Sequence, residues 1–98
     1  MATGKAQRRA ARDRVAAYHE ACVTALLDHL LATLDSYRAG SMNIHDADRA
    51  IHQYHRATGE LWKFCFAPGV DVGIITTLID EPAPPIDWWQ RGATPDRH

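Results

Sequence analysis

Four side chains that could bind a metal ion follow one another in the middle of the sequence. His45, Asp48, His52 and His55 are separated by three, four and three residues, spacings that place side chains along one flank of an α-helix. Imidazole and carboxylate groups are ligands of zinc and other first-row metals, and helical bundles hold such sites in their cores. One hypothesis is therefore a helical bundle that binds zinc or iron through this cluster.

The other potential ligands do not strengthen the metal hypothesis. A ferritin-like di-iron site requires Glu-x-x-His pairs, and neither Glu20 nor Glu60 has a histidine three residues later. We expect instead that the histidines of the cluster are solvated, pair with Asp48, or are hydrogen-bonded at the margin of a bundle. On this basis we predict no bound cofactor.

Catalytic chemistry has little support among the remaining residues. The sequence contains no phosphate-binding loop, no Cys-x-x-Cys pair and no serine beside a base that could activate it. Cys22 and Cys65 lie in apolar surroundings, whereas a reactive thiolate needs an electropositive and accessible environment. We therefore predict that the protein is not an enzyme.

The cysteines and the apolar segments indicate a cellular compartment. Two cysteines are too few for a disulfide scaffold, although an antiparallel arrangement of helices could bring Cys22 near Cys65. The apolar run over residues 21–34 is interrupted by Asp28 and His29, and it is too short to span a bilayer. Since no export signal is evident, we expect a reducing, cytoplasmic location and no membrane contact.

Two long amphipathic stretches, residues 10–38 and 44–66, must position all of these side chains. Only a few residues separate them, and short connections force consecutive helices to lie side by side and antiparallel. Asn43 is a predicted N-cap for the second stretch, and Pro68-Gly69 ends it. The sequence thus predicts an all-α fold built on a long antiparallel helical hairpin.

The apolar stripe of the first stretch is wider than one neighbouring helix can cover. It extends over roughly half of the helix circumference, which is typical of a helix buried on two sides in a four-helix bundle. Because the chain has only one other long helix, a second copy is the simplest source of the missing neighbours. We therefore predict a homodimer in which two hairpins form a four-helix bundle. Its shared core is predicted to contain Leu26, Leu27, Leu30, Leu34, Ile51 and Trp62.

One glycine inside the second stretch needs a structural reason. Gly59 costs about 1 kcal/mol of helix stability relative to alanine. We expect another helix to approach the backbone closely at Gly59, with Trp62 filling the adjoining space.

The segment after the hairpin combines helical spacing with residues that favour strands. Apolar residues recur at helical spacing over residues 71–80, but many of them are β-branched. A lone strand would have no partner, so we predict a short helix there and keep the strand as the alternative. A proline-rich run at residues 82–85 predicts an extended tail that carries Trp88 and Trp89. We expect this pair to pack back onto the bundle; the alternative is a docking site for another protein.

Charge is distributed unevenly along the chain. Residues 1–14 contain five basic residues and one acidic residue, whereas the remainder contains six basic and eleven acidic residues. Such a basic arm could contact nucleic acid, but it is more often the solvated start of a helix. We therefore keep nucleic-acid association as a second alternative only. Its candidate residues are Arg8, Arg9, Arg12 and Arg14.

Two motifs stand out in the second half of the chain: E-L-W-K-F-C within residues 59–65, at the end of the second stretch, and P-x-D-W-W within residues 85–92. Together they resemble the helix end and the tail of a group of small actinobacterial proteins. The resemblance covers mainly residues 44–92, because the first stretch matches only in pattern. The group has no assigned function, so the resemblance implies no catalytic residues. It does imply that the three tryptophans belong to one structural unit.

Length and composition bound the overall organisation. With 98 residues, 46% hydrophobic and 23% charged, the chain is suited to one small globular domain, residues 1–98. We predict disorder at its two ends, residues 1–9 and 92–98. Taken with the apolar stripe and the tryptophan tail, these features predict a non-enzymatic, homodimeric interaction protein.

Overall fold

The structure, a computed structural model, describes residues 3–69, 71–80 and 85–93. These residues form four α-helices and no β-strand. The helices are α1 (Thr3–Arg38), α2 (Ile44–Phe66), α3 (Val72–Asp80) and α4 (Trp88–Arg91). The prediction of an all-α chain is confirmed, and the helix expected within residues 71–80 is present. The four-helix bundle made with a second copy stays a prediction.

The turn between α1 and α2 is closed by local hydrogen bonds. Gly40 has a φ of +83°, a conformation that glycine adopts at little cost and other residues rarely adopt. The amide and the hydroxyl of Ser41 both donate to the carbonyl oxygen of Ser36, at 3.0 and 2.9 Å. Beyond the turn, the side chain of Asn43 accepts a hydrogen bond from the amide of Asp46 at 2.9 Å and caps α2. These contacts hold α2 antiparallel to α1.

The core lies between α1 and α2 and is closed by one residue from each short helix. Ala57 and Leu61 of α2 are fully buried, and small side chains such as Ala57 allow the neighbouring backbones to approach. Ile75 of α3 and Trp88 of α4 complete the cluster. Its buried members are Val15, Leu26, Ala57, Leu61, Cys65, Ile75 and Trp88.

Both short helices pack against the same flank of the hairpin. The α1 residues that meet α3 and the tail recur every three or four positions, which places them on one side of α1. They are Gly4, Gln7, Ala11, Arg14, Tyr18, Cys22, Ala25 and His29. An exposed ion pair between Arg14 and Asp80, at 2.7 Å, joins α1 to the end of α3. The opposite flank of the hairpin exposes large apolar side chains.

The N-terminal end differs from the prediction. Helix α1 begins at Thr3, so the described part of residues 1–9, where disorder was expected, is helical. The stretch contains five strong helix formers in a row, Lys5, Ala6, Gln7, Arg8 and Arg9, and α3 packs along it. Residues 1–2 lie outside the described residues.

The C-terminal end differs as well. Gly92 was expected to be disordered, but it is buried against α2. The rest of the predicted disordered end, residues 94–98, lies outside the described residues. Residues 82–84, which are most of the predicted extended run, do so too.

Candidate interaction surface

One flank of the hairpin exposes a set of large apolar side chains. Five of them are 40% to 51% exposed, and Leu34 beside them is partly buried. Exposed apolar patches on small proteins commonly mark interaction sites. We call this surface the apolar face, and it consists of Leu27, Leu31, Leu34, Ile51, Trp62 and Phe66.

The apolar face is continuous although two helices supply it. Its three leucines are four and three residues apart and follow one side of α1. On α2, the rings of Trp62 and Phe66 lie one turn apart, with their centroids 6.3 Å from each other. The Phe66 ring also meets the imidazole of His19 edge-on at 4.8 Å. This contact bridges α1 and α2, so the two rows of side chains form a single surface.

The six residues predicted for a dimer core divide into two groups. Leu26 and Leu30 are only 4% and 8% exposed, so they belong to the core of the protomer itself. The other four lie on the apolar face. Leu31 and Phe66 were missed, although each follows a predicted core residue by four positions and therefore shares its side of the helix.

Gly59 lies beside the apolar face and is not in close contact with another helix of its own chain. A Cβ atom added there would have no described atom within 4 Å. The close approach predicted at Gly59 is therefore absent from the protomer. Trp62, one turn later, is 50% exposed. The glycine leaves a shallow space beside this ring.

The two adjacent tryptophans of the tail pack back onto the hairpin. The indole Nε1 of Trp88 donates a hydrogen bond to the hydroxyl of Tyr18 at 2.8 Å, and its ring centroid is 5.2 Å from that of Phe64. The ring of Trp89 stacks on the imidazole of His29, with centroids 3.8 Å apart. Trp88 is only 6% exposed, so it can dock into a partner only if the tail first detaches.

Hydrogen bonds from α2 also hold the backbone of the tail. The side-chain amide of Gln53 donates to the carbonyl of Trp89 at 2.8 Å, and Nε of Arg56 donates to the carbonyl of Gly92 at 2.7 Å. A Cβ atom on Gly92 would lie 2.4 Å from the carbonyl oxygen of Gln53 and 2.6 Å from the amide nitrogen of Ala57. Since φ of Gly92 is −85°, proximity rather than backbone conformation requires a glycine here.

The hydroxyl of Tyr18 and the thiols of Cys22 and Cys65 are protonated at neutral pH, because the pKa of each is raised. Burial raises the pKa of Tyr18, against the opposing effect of the hydrogen bond from Trp88. Burial also raises the pKa of Cys22, and it raises the pKa of Cys65 to about 11, with a further contribution from the neighbouring Cys22. A protonated thiol is a poor nucleophile and a poor metal ligand. The cysteines therefore act as packing residues in this state.

The predicted metal-binding cluster lies on the outside of α2. His45, Asp48, His52 and His55 are all exposed, and the contact within the set is between His52 Nε2 and Asp48 Oδ1 at 3.5 Å. Over the described ranges, no group of three or more His, Cys, Asp or Glu side chains is arranged to hold a metal ion. The geometry therefore gives the metal-binding hypothesis no support.

The first turns of α1 carry a second recognisable surface, the basic arm. It consists of Lys5, Arg8, Arg9, Arg12 and Arg14. Lys5 and Val23 are 18 residues apart, as are Arg9 and Leu27, so each pair projects in the same direction after five helical turns. The ion pairs among the described residues involve neither Lys5, Arg9 nor Arg12. Lys5 and Arg9 thus continue the side of α1 that carries the apolar face, and Arg12 lines the same surface depression as they do, whereas Arg14 lies on the opposite flank with Asp80.

Comparisons with known proteins give no indication of function, so the functional argument rests on these surfaces. No protein-family model matches the sequence, and no match was found among curated proteins or solved structures. In the part of the chain that the structure describes, no helix has the length and apolar character needed to cross a membrane. The resemblance to small actinobacterial proteins stays a prediction. The single tryptophan unit that it implies is not formed, because Trp62 lies on the apolar face and Trp88 in the core.

Proposed function

We propose that the protein is a non-enzymatic interaction protein that works as a homodimer, with the apolar faces of two copies packed together. The observation that carries the proposal is the exposure of Leu31, Ile51 and Trp62 on one flank of so small a chain. Pairing two apolar faces would remove on the order of 1,000 Å² from water, which is about the minimum area expected of a specific protein interface.

The shape of the apolar face supports a second copy as the partner. Two antiparallel helices lie side by side and present two rows of apolar side chains, which is half of a four-helix bundle. A two-fold axis lets one such surface satisfy itself, because both copies contribute the same patch to the interface. The proposed compartment is the cytoplasm, a location compatible with the two cysteines being free.

Sedimentation equilibrium of the wild-type protein and two matched variants tests the proposal. Leu31→Asp places a charge at a 51% exposed position of the apolar face, and Ile74→Asp places one at a 61% exposed position of α3. We expect a dimer for the wild type and for Ile74→Asp, and a folded monomer for Leu31→Asp. A wild-type protein that stays monomeric at micromolar concentration would refute self-association. Leu30→Asp is a poorer probe, because Leu30 is buried and a charge there would unfold the protomer itself.

A further inference from the structure

The basic arm restricts how two apolar faces can be paired. Two hairpins can meet with their arms at the same end of the bundle or at opposite ends. Because Lys5 and Arg9 project from the same side of α1 as Leu27, a same-end pairing would bring the two arms directly together. Like charges facing each other across an interface are strongly unfavourable, whereas an opposite-end pairing separates the arms.

An acidic group lies at the far end of the same surface. Asp48 follows Ile44 by four residues and precedes Ile51 by three, so it projects from the side of α2 that joins the apolar face. Its carboxylate is exposed, and its ion-pair contact among the described residues is His52, which is charged only when protonated. Asp46, by contrast, already pairs with Arg49. Asp48 is therefore suited to accept a cation from a second copy.

A two-fold axis that pairs these charges also passes through the apolar face. The contact between His19 and Phe66 sets the level of α2 against α1, and it places Asp48 beside about residue 37 of α1. Along α1, the position midway between residue 37 and Arg12 falls between Val23 and Leu27. A two-fold axis at this point superposes the apolar faces of the two copies. The same axis brings the basic arm of each copy to the turn end of the other.

We propose that the partner of this surface is a second copy in the antiparallel orientation, with Arg9 and Arg12 of each protomer contacting Asp48 of the other. The inference rests on the proposed homodimer and adds its orientation and the residues that determine it. The axis also brings Trp62 of one copy close to the open space at Gly59 of the other. The glycine then acts at an interface between chains rather than within one chain.

A charge-swap experiment tests the orientation. The arm variant, Arg9→Glu with Arg12→Glu, and the acceptor variant, Asp48→Arg, are each studied alone and as an equimolar mixture by sedimentation velocity at low salt. Each variant alone places like charges in both contacts, so we expect its dimer to dissociate about tenfold more readily than the wild type. The mixture restores opposite charges in both contacts, and we expect a heterodimer with near wild-type affinity. Glu60→Arg is the control, since it makes the same charge change on the side of α2 opposite Trp62.

The outcomes separate this inference from the homodimer on which it rests. A wild-type dimer that is sensitive to Leu31→Asp but indifferent to all three charge variants overturns the antiparallel orientation and leaves the homodimer in place. In same-end pairing the two arms face each other, so an arm variant that pairs with wild-type protein more tightly than wild-type protein pairs with itself also overturns the antiparallel orientation. An arm variant that dimerises normally but loses salt-sensitive binding to a DNA duplex shows that the arm serves nucleic acid instead. A wild-type monomer removes both proposals together.

Discussion

Gly92 touches α2 more closely than a residue with a side chain could. The nearest atoms to a Cβ at this position are backbone atoms of Gln53 and Ala57, which belong to a helix and cannot move aside. The glycine is what lets the tail lie flat on α2 and insert Trp88 beside Tyr18. One hydrogen atom in place of a methyl group thus decides whether the tail can dock.

Gly92→Ala should lower the free energy of unfolding by about 1–3 kcal/mol, because the tail must lift from α2 to admit the methyl group. Gly59→Ala is the matched control, since it adds the same methyl group in open space and should raise helix stability by up to about 1 kcal/mol. Urea denaturation measures both changes, in a Leu31→Asp background that removes self-association. Equal effects of the two substitutions would show that Gly92 is not packed as the structure has it.

Stability should also fall at alkaline pH, because burial raises the pKa of Cys65 to about 11 from its usual value of 9.0. The folded protein then holds the thiol proton to a higher pH than the unfolded chain does. The free energy of unfolding keeps its full value below pH 9 and decreases as the pH rises through 11. This one group accounts for at most roughly 2–3 kcal/mol of that decrease.

Urea denaturation between pH 8 and 11 under reducing conditions measures this dependence. Cys65→Ala should lose the part of the slope that belongs to Cys65, whatever it costs in stability at neutral pH. The same slope in the wild type and the variant would contradict a raised thiol pKa.

Individual residues show which structural features could be predicted from the sequence. The cap at Asn43 was predictable because it depends on neighbours along the chain. The close approach of a glycine was predicted at Gly59 but occurs at Gly92. A glycine inside a helix suggests a structural role because it destabilises the helix, whereas a glycine near a chain end does not. The contacts of Gly92 with α2 form only when the tail folds back, and no local sequence pattern predicts that.

At the scale of helices, the apolar periodicity predicted the hairpin. It did not show whether the wide apolar stripe of α1 is covered by the chain itself or by a second copy. The chain itself covers part of the stripe on α1, since Leu26 and Leu30 lie in the core and Cys22 lies under the tail. Leu27 and Leu31 of the same stripe are exposed. The sequence could not divide the stripe in this way, because the position of the tail depends on contacts with α2. The width that predicted a second copy is therefore a weaker argument than the exposure of the apolar face.

Removal of the tail after Pro85 tests its role as a structural element. The truncation deletes Trp88 from the core and uncovers Leu26, so we expect the thermal midpoint to fall by about 10 °C or more. Thermal unfolding followed by circular dichroism measures the change, and pull-down from the native host compares the partners that are retained. An unchanged midpoint with lost partners would instead establish the tail as a docking element. Such an outcome would favour the alternative role of Trp88 and Trp89.

At the scale of the whole molecule, the protomer is long and thin. Its principal extents are 61 × 32 × 25 Å, and its buried core runs along one hairpin with large apolar side chains still exposed. Small domains bury a low fraction of their surface and are correspondingly marginal in stability. A second copy would add to the same core, so assembly and folding should be thermodynamically linked.

The thermal midpoint of the wild-type protein should therefore rise with protein concentration, because association stabilises only the folded state. Leu31→Asp should remove this dependence and leave a lower, constant midpoint, whereas Ile74→Asp should retain it. Thermal unfolding over a hundredfold range of concentration, about 1 to 100 μM, measures the three slopes. A wild-type midpoint that does not change over this range would mean that the protomer is stable without a partner. The exposed apolar side chains would then contribute nothing to its stability, and the case for a second copy on this flank would be lost.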